Sequence, residues 1–90
     1  MWIGRVIGTL VATPKDDSLT GSKLLIVLPT DFSEGYRKGP VVALDTVGAG
    51  TGEKVLVTEG GAARNVHGKE RSAADAAIIG IVDTMEIQEW

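Results

Sequence analysis

Val41-Val42-Ala43-Leu44-Asp45-Thr46-Val47-Gly48-Ala49-Gly50-Thr51-Gly52-Glu53-Lys54-Val55-Leu56-Val57 sets two apolar segments around a run with three glycines in five residues. Glycine admits positive φ angles and close backbone approach. A plain hairpin turn needs only one or two such residues. The run from Val47 to Glu53 therefore either turns unusually tightly or lets something come close to its backbone. That something is a ligand phosphate, another part of the chain or another subunit.

Working outward, the chain reads as mostly β. Residues 2–13 form a long first strand with Val6, Ile7, Leu10 and Val11 apolar. Gly4 and Gly8 inside it predict bulges or a strong bend, as small barrels need. Residues 14–18 are a polar loop with turn chemistry. Residues 24–28 are a short apolar strand stopped by Pro29. Residues 30–40 are a polar excursion, 41–47 a third strand and 54–59 a fourth. Residues 60–72 are irregular. Residues 72–77, Ser-Ala-Ala-Asp-Ala-Ala, predict one short helix with Ser72 as N-cap and Asp75 at the third helical position. Residues 78–87 form the last strand. Its core, Ile78-Ile79-Gly80-Ile81-Val82, is apolar on both alternating faces. Such a strand is buried on both sides, and in so small a domain one side is expected to meet another chain. Ile79 and Ile81 are the interface candidates on it. Five strands with glycine bends and little helix argue a small, closed or partly open, OB-like β-barrel. Residues 1–90 read as a single domain, with no internal repeat and no linker.

The bulk numbers agree with burial beyond one chain. Ninety residues sit near the lower end of independent stability, yet 43% are hydrophobic and only 4% aromatic. Mean hydropathy is +0.13. This much aliphatic residue on a small domain predicts oligomerisation. There is no cysteine, so disulfides, thiolate metal sites and cysteine nucleophiles are excluded. Met1-Trp2-Ile3-Gly4-Arg5 lacks the charged start and apolar core of a signal peptide, and no apolar run approaches a membrane span. A soluble, cytoplasmic protein is expected.

The chemistry-bearing residues are sparse. Gly48-Ala49-Gly50-Thr51-Gly52 has the spacing G-x-G-x-G and continues as a strand. A dinucleotide fingerprint has G-x-G-x-x-G and opens a helix. A P-loop needs a following Gly-Lys-Ser/Thr, which is absent. A tight structural loop is the better reading, and no cofactor is expected. His67 is the only histidine; beside Lys69, Glu70 and Arg71 it reads as a solvated loop residue, and no metal site is expected. The acidic residues are dispersed. Asp45 and Asp83 each sit in an apolar strand, where a charge must be paired, point outward or lie at an interface. Paired catalytic carboxylates would need a pocket that ninety residues scarcely build. An OB-like barrel also raises nucleic-acid or other anion binding as the alternative function. Single-strand binding uses stacking aromatics and a basic groove. Here the aromatics are Trp2, Phe32, Tyr36 and Trp90, the net charge is −3, and no basic run exists.

The chain resembles the bacterial microcompartment vertex proteins, the group named for ethanolamine-utilisation and carboxysome pentamers (EutN/CcmL type). The residues that carry the resemblance run in order along nearly the whole chain. They are Gly4-Arg5-Val6-Ile7-Gly8-Thr9-Leu10-Val11-Ala12-Thr13 with Lys15, Leu19-Thr20-Gly21-Ser22-Lys23-Leu24-Leu25-Ile26-Val27, and Val42 through Glu53 with Val55-Leu56-Val57. Gly60-Gly61-Ala62-Ala63-Arg64 and Asp75-Ala76-Ala77-Ile78-Ile79-Gly80-Ile81-Val82-Asp83 complete them. There are departures. Gly61-Ala62 stands where the family usually carries serine, Leu28 where it often has glutamine, and the C-terminus is short beside the longer members. The resemblance implies an OB-like barrel assembling as a cyclic homopentamer, no catalysis, and a structural role: pentamers closing the vertices of a metabolosome or carboxysome shell. The implied partners are copies of itself and hexameric or pseudohexameric shell proteins, with neither nucleic acid nor membrane. The implied location is the compartment shell in the bacterial cytoplasm. On this reading Gly48, Ala49, Gly50, Thr51, Gly52 and Glu53 pack against a neighbour or line the five-fold axis, and Arg64 and Glu53 fix that loop electrostatically.

Overall fold

A computed structural model of the chain describes residues 1–11, 13, 21–30, 39–60 and 75–86. Among these, five strands form a closed barrel: β1 (Trp2–Leu10), β2 (Lys23–Pro29), β3 (Val41–Asp45), β4 (Lys54–Glu59) and β5 (Ala76–Ile81). The order around the barrel is β1-β2-β3-β5-β4, and β4 closes it by pairing with β1. All neighbours are antiparallel except β3 and β5, which pair in parallel through Leu44 with Ala77 and Asp45 with Ile78. Closure leaves no free sheet edge.

The interior is aliphatic, apart from one indole. Trp2, Val6, Leu25, Val27, Ala43, Ala49, Val55, Val57, Ala76 and Ile78 form one buried cluster, with Val41 and Ile81 packed against it. Each fully buried valine, leucine or isoleucine contributes about 1.5–3 kcal/mol. Register explains the selection. Val6 opposes Val27, Leu25 opposes Ala43, and Trp2 opposes Val57, so these partners share the inner face.

Two bulges shape the wall. Val6 pairs with Val27 but Gly8 with Ile26, so Ile7 is the extra residue on β1. The bulge expected from the glycines is thus at Ile7, beside Gly8. Gly4 has a different reason: a Cβ there would lie 2.5 Å from Val27 Cγ1 and 2.8 Å from the Trp2 ring. On β5, Val57 pairs with Ile78 but Leu56 with Gly80, leaving Ile79 as the extra residue.

That second bulge corrects the reading of the last strand. An extra residue shifts the two-residue phase. Ile78 and Ile81 therefore both belong to the inner face although they are three apart. Ile81 packs against its own barrel, and Gly80 takes the outer position opposite Leu56. The apolar run reflects a phase shift rather than two equally buried faces.

Strand ends also differ from the sequence reading. The first strand stops at Leu10 and the third at Asp45. The last starts at Ala76 and stops at Ile81, with one further backbone bond from Val82 N to Lys54 O. The expected helix over 72–77 is not confirmed. Residues 72–74 lie outside the described residues, Asp75 is a bend, and Ala76 and Ala77 open β5. Ala77 pairs with Thr58 on one side and Leu44 on the other, and ladder bonds on both flanks outweigh alanine's helix preference. His67 also lies outside the described residues.

Gly4→Ala is expected to lower stability by about 1–3 kcal/mol, because Val27, Trp2 and the wall have no room to give. Gly80→Ala, whose Cβ would sit 3.8 Å from Leu56 Cβ, is expected to stay within about 1 kcal/mol of wild type. Denaturant titration of both variants at one protein concentration checks this.

Candidate functional site: the glycine loop

The loop between β3 and β4 is built from the strand end inward. The Asp45 side chain is only 3% exposed. Its Oδ1 accepts from Val47 N at 3.1 Å and Ala49 N at 3.3 Å. An aspartate holding the amide two residues on is a local turn that competes with the ladder, which is why β3 ends there. Lys23, its cross-strand partner, places Nζ 3.8 Å from Asp45 Oδ2 and donates to Ala49 O at 3.0 Å. Thr46 Oγ1 donates to Ile78 O at 2.7 Å and ties the same corner to β5.

The far side of the loop is closed by Glu53. Its Oε1 accepts from Gly50 N at 2.6 Å, and its own N–H donates to Gly50 O at 3.1 Å. Gly52 N donates to Val6 O at 2.7 Å, and Val6 N to Glu53 O at 3.0 Å, which extends the β1–β4 pairing into the loop. Gly48 and Gly52 have φ of +77° and +91°, a region that side chains rarely adopt. Among the described residues, a Cβ on either would meet nothing within 4 Å. These two glycines serve backbone conformation, their left-handed φ being what the loop requires of them.

The sequence-predicted residues separate on this geometry. Ala49 is fully buried in its own barrel core, a plug at the barrel end. Gly48, Thr51, Gly52 and Glu53 are exposed and Gly50 is half-buried, so they form the loop's outer face. Ile79, on the bulge, is half-buried. Arg64 lies outside the described residues. Asp45 is the paired charge its apolar surroundings demand, whereas Asp83 lies past the end of β5 and is exposed. Sequence reasoning missed Lys23 as a loop holder. Only the β2–β3 register brings it to Asp45, and no local spacing announces it.

The arrangement is a poor anion cradle. Of the seven amides from Val47 to Glu53, those of Val47, Ala49, Gly50, Gly52 and Glu53 donate within the chain. Three of them are taken by the carboxylates of Asp45 and Glu53. Among the described residues no three His, Cys, Asp or Glu side chains gather to hold a metal, and no helix is long and apolar enough to cross a membrane.

Asp45→Ala is expected to cost about 1–3 kcal/mol, since two amides lose a partner beside the core. Glu53→Ala is expected to cost less than about 1 kcal/mol, because water reaches the exposed Gly50 amide. The half-exposed Lys23–Asp45 ion pair adds at most about 1 kcal/mol. Thermal melts of the two variants, compared at matched concentration, test this order.

Comparison with known proteins agrees with the geometry. Residues 1–83 match the family model described as ethanolamine utilisation protein EutN/carboxysome. The bacterial microcompartment shell vertex protein GrpN of Rhodospirillum rubrum (strain F11) is 49% identical over 86 residues, covering 96% of this chain and 97% of that one. The carboxysome shell vertex protein CcmL of Nostoc sp. is 44% identical, covering 99% and 89%. The solved structure of the GrpN pentameric microcompartment shell protein superposes with a TM-score of 0.82 at 45% identity, covering 99% of this chain and all of that one. Matched across nearly its full length in sequence and in fold, the chain belongs to the EutN/CcmL family.

Proposed function

We propose that five copies of this chain close into a ring that fills a vertex of a bacterial microcompartment shell. The observation that carries this reading is the end-to-end match to proteins named as shell vertex proteins, together with a barrel that superposes on a pentameric one. A flat sheet of six-fold tiles cannot close on itself, and five-fold units supply the missing curvature. The role is geometric and needs no catalysis or cofactor. The partners are four further copies and the surrounding hexameric or pseudohexameric tiles, and the location is the compartment shell. Residues 1–90 act as one domain.

Within the ring, the outer face of the glycine loop is assigned to the neighbour or the axis through Gly48, Gly50, Thr51, Gly52 and Glu53. Support comes from the space left over Gly48 and Gly52 by the described residues and from the internal bonds that hold the loop's shape. Ala49 is engaged in its own core and takes no part. Ile79 on the bulge is the β5 residue left for contact, and Arg64 is retained as a partner for the loop. The anion-binding alternative is weakened by the loop amides already engaged within the chain.

Native mass spectrometry of the purified chain at micromolar concentration is expected to give a species about five times the 9.4 kDa subunit; a stable monomer would sink the proposal. In the cell, deletion is expected to leave the enclosed enzymes active but the shells elongated or leaky. Normal closed shells after deletion would count against a vertex role.

A further inference from the structure

The seams of the barrel are unequal. β1 and β2 pair from Gly4 with Pro29 to Leu10 with Leu24, and β2 and β3 from Lys23 with Asp45 to Val27 with Val41. β4 pairs with β1 from Val57 with Trp2 to Lys54 with Arg5, and with β5 from Val55 with Ile81 to Glu59 with Ala76. β3 and β5 pair only at Leu44 with Ala77 and Asp45 with Ile78, and they run parallel. Parallel pairing is slightly weaker per residue than antiparallel. The shortness of this seam has a local cause. β3 ends at Asp45, whose carboxylate captures the amides of Val47 and Ala49, so only the end of β3 meets the start of β5. Past the ladder a side chain continues the seam: Thr46 Oγ1 donates to Ile78 O at 2.7 Å. Thr46 is also the first residue of the glycine loop.

We infer that the barrel opens along β3–β5 while its other seams stay paired, with Thr46 as the latch. Proteins open locally where the fewest backbone bonds hold them. What remains after opening is a curved sheet in the order β3-β2-β1-β4-β5, joined throughout by antiparallel pairs. Asp45 and Thr46 stand both at the seam and at the root of the glycine loop. Opening therefore frees the loop from β5 without unfolding the chain, and a short ladder and one hydroxyl decide how firmly the loop is seated. The opening is a property of the single chain and does not require the ring.

The chain has no cysteine, so single cysteines at fully buried positions report opening directly. Ala43 on β3 and Ala77 on β5 flank the seam, and Val27 on β2 lies away from it; all three are 0% exposed. At one protein concentration, Ala43→Cys and Ala77→Cys are expected to react with a maleimide about tenfold faster than Val27→Cys, or more. Their rates are also expected to depend less steeply on urea, because local opening exposes less surface than unfolding. Adding Thr46→Val to the Ala77→Cys protein is expected to speed labelling about fivefold, whereas Thr46→Ser, which keeps the hydroxyl, holds the original rate. If Thr46→Val does not fold, as read by far-ultraviolet circular dichroism, the urea dependence at the three positions decides. Equal rates with equal urea dependence at Ala43→Cys, Ala77→Cys and Val27→Cys overturn the opening. Labelling no faster with Thr46→Val than with Thr46→Ser overturns the latch.

Discussion

The Asp45 carboxylate is the hinge of this molecule. It sits at the last residue of β3, nearly buried, and takes two loop amides on one oxygen while facing Lys23 with the other. Without it the chain would have no reason to leave the ladder at that point. Because it does leave there, Ala49 is carried into the barrel end and the glycines onto the outside. Core closure and the exposed loop face are therefore two results of one side chain. The hydrogen bonds to backbone, in a place water hardly reaches, outweigh the long and half-solvated ion pair.

The barrel was legible because its strands largely follow a two-residue period and the loop between β3 and β4 is rich in glycine, although Pro29, read as stopping the second strand, lies inside β2. The fourth strand, Lys54–Glu59, is found where the sequence reading put it. Where the reading departed from the structure, a non-local event intervened. Ile79 bulges out of β5, and a period-two reading cannot see an inserted residue. Asp45 stops β3 two residues early by capturing amides ahead of it. Ala76 and Ala77 look helical alone but are strand because Glu59 pairs with Ala76, and Thr58 and Leu44 flank Ala77. The loop site was half legible. Glu53 was visible as a nearby charge, whereas Lys23 needed the β2–β3 register.

The wall itself divides into two kinds of surface. One flank, on β1 to β3, shows aliphatic side chains to the outside. The other, on β4 and β5, turns Val55, Val57, Ile78 and Ile81 to the core and leaves Leu56 and Ile79 half-buried on the wall. A small barrel with so few aromatic residues gains its core from many modest contacts, as in the interlocking of Val6, Val27, Val55 and Val57. Such a core leaves little surplus stability for a domain of this size.

The bonds inside the glycine loop have a further consequence for assembly. Gly48 and Gly52 hold left-handed conformations in the single chain, with Asp45 and Glu53 fastening the amides between them. Ordering a backbone residue costs about 1–2 kcal/mol of conformational entropy. Here that cost falls on folding, before any neighbour arrives. In the proposed ring, association would begin from a preorganised loop face, and the saving would recur at every junction where that face meets a neighbour.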